Sequence, residues 1–287
     1  MKQTILTILF IAVCFHIEAY AQTDIGYQRQ GEFGVTVGAA HYFGDLNTRV
    51  GLRKPGVAVG AFFRKQFNDY VAMRVSGRFA KLSYSDQYSK NDYQRTRNLD
   101  FSSNIFEFAV QGDFNFFQYN PDDANKLFTP YVTLGVGLFS YDPYTMYDGS
   151  KVYLRPLGTE GQAGGYLGRS EYGTMALCIP LGVGIKYSIT RKTNLTFELS
   201  HRFTTTDYLD DVSTTYAPKD PYFPDGPTGP SLAYLLQDRS WEIDPNNMLS
   251  SVPGRQRGWS KQKDQYIIAE IGLSVNIGSY RCPKANF

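Results

Sequence analysis

After its first 21 residues, this 287-residue sequence lacks any long uninterrupted apolar run. A membrane-spanning helix needs about 20 consecutive apolar residues, so the rest of the chain is predicted either to be water-soluble or to cross a membrane as strands. Leucine, alanine and lysine do not dominate the composition, which disfavours long helices. The net charge of +2 argues neither for nucleic acid nor for an acidic partner. Tyrosine (22), phenylalanine (20) and glycine (27) are abundant, which favours strands, aromatic belts and tight turns.

Cysteine and histidine are also scarce, with three of each. Cys178 and Cys282 fall near opposite ends of predicted strands, and a disulfide needs Cα atoms within about 7 Å, so no bond between them is predicted. Cys282 could cross-link to a partner in an oxidising compartment, although a free thiol is the simpler interpretation. His41 and His201 lie near strand ends without a readable Ser/His/Asp arrangement. The sequence therefore predicts no catalytic, cofactor or metal site.

The N-terminal segment has the organisation of a secretory signal peptide. Lys2 supplies positive charge, residues 5–17 are an apolar stretch too short for a comfortable membrane helix, and Ala19-Tyr20-Ala21 is a small-x-small cleavage site. An uncleaved anchor and a lipoprotein modified at Cys14 are alternatives that this length and these neighbours disfavour. We expect a cleaved signal peptide at residues 1–21, a barrel domain at residues 22–287 and a short periplasmic tail at residues 278–287.

Eight later segments alternate between apolar and small or polar residues. A period of two places successive side chains on opposite faces of a sheet. The clearest pair, residues 179–188 and 193–203, flanks the polar turn at residues 189–192 and predicts a β-hairpin. The eight predicted strands are residues 32–43, 56–67, 70–82, part of 99–117, 130–141, about 174–188, 193–203 and 266–277.

The connections between these segments alternate between long and short. A soluble sandwich has no reason to place a long loop at every second connection, whereas an outer-membrane barrel has short periplasmic turns, long outer loops and an even number of strands. The sequence therefore predicts an all-β protein, an eight-stranded antiparallel transmembrane up-and-down β-barrel in the cell outer membrane. Both termini are expected in the periplasm.

One face of the predicted strands is apolar, while the other carries charged residues together with glycine and alanine. Lipid would contact the apolar face, and the tight interior of a small barrel would hold the other. Because an unpaired buried charge is costly, the charges are predicted to pair inside a filled barrel that is not a pore. The residues assigned to this network are Arg64, Arg74, Arg78, Glu107, Asp113, Lys186, Glu198, Arg202 and Glu270.

Two loop segments invite a search for ligand sites. Asp207, Asp210 and Asp211 form an acidic cluster, but their spacing does not match an EF-hand, which predicts a solvated loop or one fixed by side-chain-to-backbone hydrogen bonds. The glycine-rich residues 158–168 lack the lysine and following Ser or Thr of a phosphate-binding loop and are predicted to be flexible.

Several motifs resemble those of one family. Residues 41–47 (HYFGDLN) resemble a YxGDLN-type signature, and residues 154–162 (LRPLGTEGQ) resemble a PLGTEGQ loop. Residues 182–187 (GVGIKY) and 206–213 (TDYLDDVS) are similar to its hairpin and following loop, and residues 280–283 (YRCP) to its tail. In this order, over most of the chain, the motifs resemble the PorG-like outer-membrane proteins of Bacteroidetes.

That resemblance implies a non-enzymatic component of the type IX protein secretion system, docked to a periplasmic ring of a lipoprotein and its partner (PorK- and PorN-like). The alternative is a stand-alone structural or adhesive barrel with ligand-binding outer loops, and a lipid-modifying enzyme is a third class. In the predicted topology only the short turns and the termini reach the periplasm. The candidate periplasmic contacts are therefore Asn68, Asp69, Pro121, Arg191, Arg281 and Cys282.

Overall fold

The structure is a computed structural model that describes residues 27–49, 51–227, 229–246 and 248–280. The predicted signal peptide and the tail residues Arg281 and Cys282 lie outside the described residues. Residues Gln30–Ile277 form one compact unit, to which the following description applies. Among the described residues, no helix combines the length and apolar character needed to cross a membrane.

Eight strands pair side by side into one closed antiparallel barrel, which confirms the fold predicted from the alternating segments. The strands of the chain are β1 (Tyr27–Phe43), β2 (Gly56–Gln66), β3 (Val71–Ser85), β4 (Asp100–Asn115), β5 (Phe128–Ser140), β6 (Pro143–Tyr147), β7 (Ser150–Tyr153), β8 (Met175–Ser188), β9 (Thr193–Thr204) and β10 (Gln265–Tyr280). The order in the barrel runs from β3 through β2 and β1 to β10, β9, β8, β5 and β4, and pairing of β3 with β4 closes the sheet.

The strands β6 and β7 lie outside the barrel and were not predicted, because residues 141–172 were interpreted as a loop. Asp148 and Gly149 both have positive φ angles, 48° and 72°, as a two-residue hairpin turn requires. The barrel partner β5 pairs with β4 only from Phe106 onward, so β6 pairs with the free outer part of β4 at Ser102 and Ser103. The dipeptide Asp-Gly was the sequence signal for this hairpin.

The helices are short and lie in the connections. They are α1 (Asp92–Arg97), α2 (Leu232–Gln237) and 3₁₀ turns at Asp86–Tyr88, Arg155–Leu157, Tyr166–Gly168, Ser240–Glu242 and Leu249–Ser251. Asn91 begins α1 because its side chain accepts a hydrogen bond from the Tyr93 backbone N–H, and Asn98 ends it in the left-handed conformation.

The outer surface of the barrel exposes apolar side chains on every barrel strand. We call this surface the apolar belt. One representative from each strand shows its extent: Val35, Val59, Met73, Phe108, Val136, Val183, Phe197 and Leu273, which are 42–65% exposed. The neighbours of these residues along each strand point inward, as the alternation of strand side chains requires.

The four long connections all leave the same end of the barrel, and we call their described residues (44–55, 86–99, 141–174 and 205–264) the loop cap. Leu209 and Val212 of the loop cap belong to one buried apolar cluster with Leu82, Phe101 and Ile268 of the barrel strands. The loop cap therefore covers this end of the barrel. Short connections at residues 67–70, 116–127 and 189–192 form the opposite end.

Candidate functional site

The barrel interior is filled by charged side chains, which we call the interior network. The structure places all nine sequence-assigned residues inside, each no more than 5% exposed. It adds Glu32, which sequence reasoning missed although it shares the inward parity of Gly34 and Thr36 on β1. The described network holds five cations and five carboxylates: Arg64, Arg74, Arg78, Lys186 and Arg202 with Glu32, Glu107, Asp113, Glu198 and Glu270.

One half of the network lies towards the short turns. Arg64 donates to Asp113 at 2.7 Å and to Glu32 at 3.1 Å. Arg74 donates to Glu198 at 2.6 Å and also lies 3.6 Å from Asp113. The carboxylate of Asp113 is thus shared between the guanidinium groups of Arg64 and Arg74. This pairing inside the barrel offsets the free-energy cost of burying each charge.

The other half lies towards the loop cap and centres on Arg78. Its Nε donates to both oxygens of Glu270 at 3.1 and 3.2 Å, and its Nη1 donates to Glu107 at 3.3 Å. Its Nη2 lies 3.9 Å from Glu198, which links the two halves. Arg202 donates to Glu107 from the opposite wall at 3.1 Å. The interior is thus occupied by paired side chains along the barrel axis.

The two histidines of the described chain have structural partners. The Nε2 of His41 lies 2.7 Å from the carbonyl oxygen of Gly51, and its ring packs edge-on against Tyr84. The Nε2 of His201 lies 2.7 Å from the side-chain oxygen of Gln265. Within the described residues, no group of three or more His, Cys, Asp or Glu side chains is arranged to hold a metal ion.

Three of the family-like motifs, distant in sequence, meet in the loop cap. Glu160 comes from the LRPLGTEGQ motif and Asp211 from the TDYLDDVS motif, and both are fully buried. Arg257 donates to Glu160 at 3.0 Å and lies 3.6 Å from Asp211. Arg97 donates to the carbonyl oxygen of Asp45, from the HYFGDLN motif, at 3.0 Å and also donates to the carbonyl oxygen of Arg257. Residues of these motifs therefore supply buried contacts that hold the loop cap together.

The acidic cluster is not solvated, so that alternative was wrong. Asp207, Asp210 and Asp211 are at most 3% exposed because the loop folds back over the barrel end. The other alternative, hydrogen bonds from side chain to backbone, does occur, since Asp210 accepts from the N–H of Val212 at 2.9 Å. Residues 158–168, predicted to be flexible, contribute the buried anchor Glu160, which accepts from the N–H of Ser213 at 2.9 Å.

Some buried carboxyl groups of the loop cap carry a proton more readily than in water. The Tyr42 hydroxyl lies 2.5 Å from Asp210 and 3.0 Å from Asp264. The single proton of the Tyr42 hydroxyl can be donated to only one of the two carboxyl groups. A second proton, carried by either carboxyl group, completes the hydrogen bonding among these three side chains. Burial and the nearby Asp45 raise the pKa of Asp210 well above its usual range, and burial and Asp210 do the same for the pKa of Asp264.

Raising the pH is expected to loosen the loop cap. Burial raises the pKa of Asp207 to about 7 and that of Asp211 to about 6. A carboxyl group with a higher pKa in the folded chain stabilises most below its unfolded pKa of about 4, and this contribution is lost as the pH rises through the folded value. Hydrogen exchange of the full chain, corrected for intrinsic rates, should show loop-cap protection falling between about pH 4 and pH 7.

The variant Asp207→Asn should reduce this pH dependence, because asparagine resembles the protonated carboxyl group. Asp92→Asn is the matched control, since the Asp92 side chain is 98% exposed. Loop-cap protection that rises with pH in the unmodified chain would contradict the assignment.

The end opposite the loop cap holds the sequence-assigned periplasmic contacts that the structure describes. Asn68 and Arg191 are exposed and Asp69 is half-buried, whereas Pro121 is buried and presents no side chain to a partner. Asn68 fixes the β2–β3 turn by accepting from the N–H groups of Tyr70 and Val71 at 2.8 Å each. Half of the residues that line a groove of about 730 Å³ beside the β4–β5 connection are aromatic, namely Tyr70, Phe116, Phe117, Phe128 and Tyr187.

Comparison with known proteins adds a family and a set of structural neighbours. The family model described as "Domain of unknown function (DUF6089)" matches residues 3–222. No curated protein matches the chain. Neisserial surface protein A is 9% identical, with 86% of this chain and 97% of that chain covered and a TM-score of 0.43.

Two further solved structures have similar coverage. The outer membrane protein OprG from Pseudomonas aeruginosa is 10% identical, covering 87% of this chain and 97% of its own, with a TM-score of 0.37. A major outer membrane protein from Thermus thermophilus is 13% identical, covering 86% and 99%, with a TM-score of 0.35.

Proposed function

The chain belongs to the DUF6089 family, and we propose that it is an integral outer-membrane protein with an anchoring, non-enzymatic role. The observation that carries this proposal is the apolar belt, which surrounds a barrel whose own interior is charged. Monomeric soluble proteins rarely expose apolar patches beyond a few hundred Å², and they bury apolar side chains rather than salt bridges. In a hydrocarbon environment apolar side chains face outward and charged side chains face the barrel interior. Lipid is therefore the partner expected to contact the apolar belt.

The interior network favours an anchor over a channel. Its five cations and five carboxylates occupy the interior of a barrel with only eight strands, which is just wide enough for side chains. The balanced charges give no net field that would select one sign of ion. The loop cap further covers one end of the barrel.

From the family-like motifs we infer the protein assembly to which the chain belongs. Their resemblance to PorG-like proteins supports a place in the type IX secretion system, with the loop cap outside and both termini in the periplasm. The short-turn end would then face the PorK/PorN-like ring. Asn68, Asp69 and Arg191 are accessible there, and the aromatic groove beside the β4–β5 connection supplies an apolar surface.

Photo-cross-linking in cells tests this proposal. A cross-linking amino acid at Asn68 or Arg191 is expected to capture the ring lipoprotein or its partner. The same amino acid at Leu167 or Val252, exposed positions of the loop cap, is the matched control and should not capture either. Deletion of the gene should abolish export of the proteins that the system secretes.

Two outcomes would overturn the assignment. Ring adducts formed only from Leu167 or Val252 would reverse the topology. Unchanged secretion after deletion, without ring adducts from any position, would favour the stand-alone structural or adhesive barrel.

A further inference from the structure

A groove of about 640 Å³ crosses the loop cap, at the end of the barrel opposite the short turns. It lies between the first, second and fourth long connections. This volume falls within the roughly 300–1,000 Å³ of small-molecule sites. The lining residues that matter most are Asp45, Asn91, Tyr93, Gln256, Trp259 and Gln262.

Trp259 presents a large aromatic surface in this groove. Its residue is 53% exposed, yet its backbone is fixed, because its N–H donates to both carboxylate oxygens of Asp45 at 3.0 Å. The preceding Gly258 is closely packed, since a Cβ there would lie 2.5 Å from an Asp45 oxygen and 2.7 Å from the Ser213 nitrogen. An exposed indole on an anchored backbone offers a stacking surface in the groove.

Side-chain amides surround this surface. The Asn91 side chain uses its oxygen to accept from the Tyr93 N–H at 2.9 Å, which leaves its NH₂ group directed to solvent. Gln256 and Gln262 are exposed, and within the described residues their side-chain amides have no protein hydrogen-bond partner. Each amide offers a donor and an acceptor in one plane, a combination that matches a hydroxyl group, which also donates and accepts.

The two cations that line the groove, Arg97 and Arg257, are already paired with carboxylates. Arg97 makes a bidentate pair with Asp86, with both distances 2.7 Å, and Arg257 pairs with Glu160 at 3.0 Å. Both guanidinium groups are buried. The remaining charge among the described lining residues is the carboxylate of Asp45, so these lining residues offer no unpaired cation to a sulfate, phosphate or carboxylate group.

From these features we propose that the groove binds a neutral oligosaccharide. One pyranose ring stacks its C–H face on the indole of Trp259, and its hydroxyl groups exchange hydrogen bonds with the amides of Asn91, Gln256 and Gln262. The open groove admits an internal segment of a chain as well as its end. This site is separate from the proposed ring-docking surface, because it lies at the other end of the barrel from the short turns.

Titration calorimetry on the full chain in lipid nanodiscs tests the proposal, with maltohexaose, cellohexaose and chitohexaose as probes. At least one of them is expected to bind and to shift the indole emission, to which only two tryptophans contribute. Trp259→Ala should weaken binding at least tenfold, whereas Trp259→Phe should retain most of it because a ring remains. Val252→Ala, an exposed apolar position of the same connection outside the groove, is the matched control and should bind as the unmodified chain does.

A heparin hexasaccharide, which is anionic, is titrated in the same way for comparison with the three neutral hexasaccharides. Binding of heparin alone, or of none of the three neutral hexasaccharides, would overturn the proposal. So would neutral-sugar binding that is unchanged in Trp259→Ala. Hydrogen exchange of the loop cap in each variant separates loss of the stacking surface from loss of the fold.

Discussion

Replacing Arg78 with methionine is expected to destabilise the barrel by about 3–5 kcal/mol, the range seen when one partner of a buried ion pair is removed. The Arg78 guanidinium bonds Glu270 and Glu107 and lies 3.9 Å from Glu198. Methionine fills similar space but leaves Glu270 with Thr36, at 3.0 Å, as its remaining hydrogen-bond donor among the described side chains. The measurement is urea unfolding of the refolded chain in lipid vesicles.

Arg95→Met is the matched control for Arg78→Met. The Arg95 side chain is 63% exposed on α1 and lies 3.8 Å from Asp92, a surface pair, so its loss should change the free energy of unfolding by less than about 0.5 kcal/mol. The double variant Arg78→Met/Glu270→Gln should recover part of the loss, because one uncompensated charge is removed. Equal stability of Arg78→Met and the unmodified chain would show that Arg78 is not a centre of the interior network.

The interior network lies where the sequence alternation placed it, for a local physical reason. On a strand, parity alone decides which side of the sheet a residue faces, and closure into a small barrel then brings all inward residues together. Arg64 on β2 and Asp113 on β4 were therefore assigned to the same interior without knowledge of their contact. Glu32 has the same inward parity, but it is the first residue of the first predicted strand and was therefore not assigned to the interior network.

The loop cap could not be predicted in this way, because its contacts follow no short-range period. Glu160 and Arg257 are 97 residues apart, and only the complete barrel brings their connections together. Solvation of the Asp210 cluster was a reasonable expectation for an acidic loop, since isolated carboxylates avoid burial. Burial here depends on distant partners, namely Tyr42, Arg97 and Arg257, which local sequence does not reveal.

Replacing Arg257 with methionine is expected to open the loop cap while the barrel strands remain folded. Glu160 would stay buried with its negative charge facing Asp211, a repulsive arrangement that the guanidinium now neutralises. A cost of about 3–5 kcal/mol is typical of breaking a buried pair, and 1.4 kcal/mol corresponds to a factor of ten. Hydrogen exchange at Ser213 and Thr214, whose N–H groups donate to Glu160, should therefore accelerate at least hundredfold.

Two further variants make this expectation specific. Lys261→Met removes an exposed cation from the same connection and should leave exchange at Ser213 and Thr214 unchanged. Arg257→Met/Glu160→Gln should restore part of the protection, because glutamine keeps an oxygen that can accept from these N–H groups without the unpaired charge. If Arg257→Met instead accelerates exchange in the barrel strands to the same extent, the loop cap and the barrel unfold as one unit. The folded cap would then be a requirement for barrel stability.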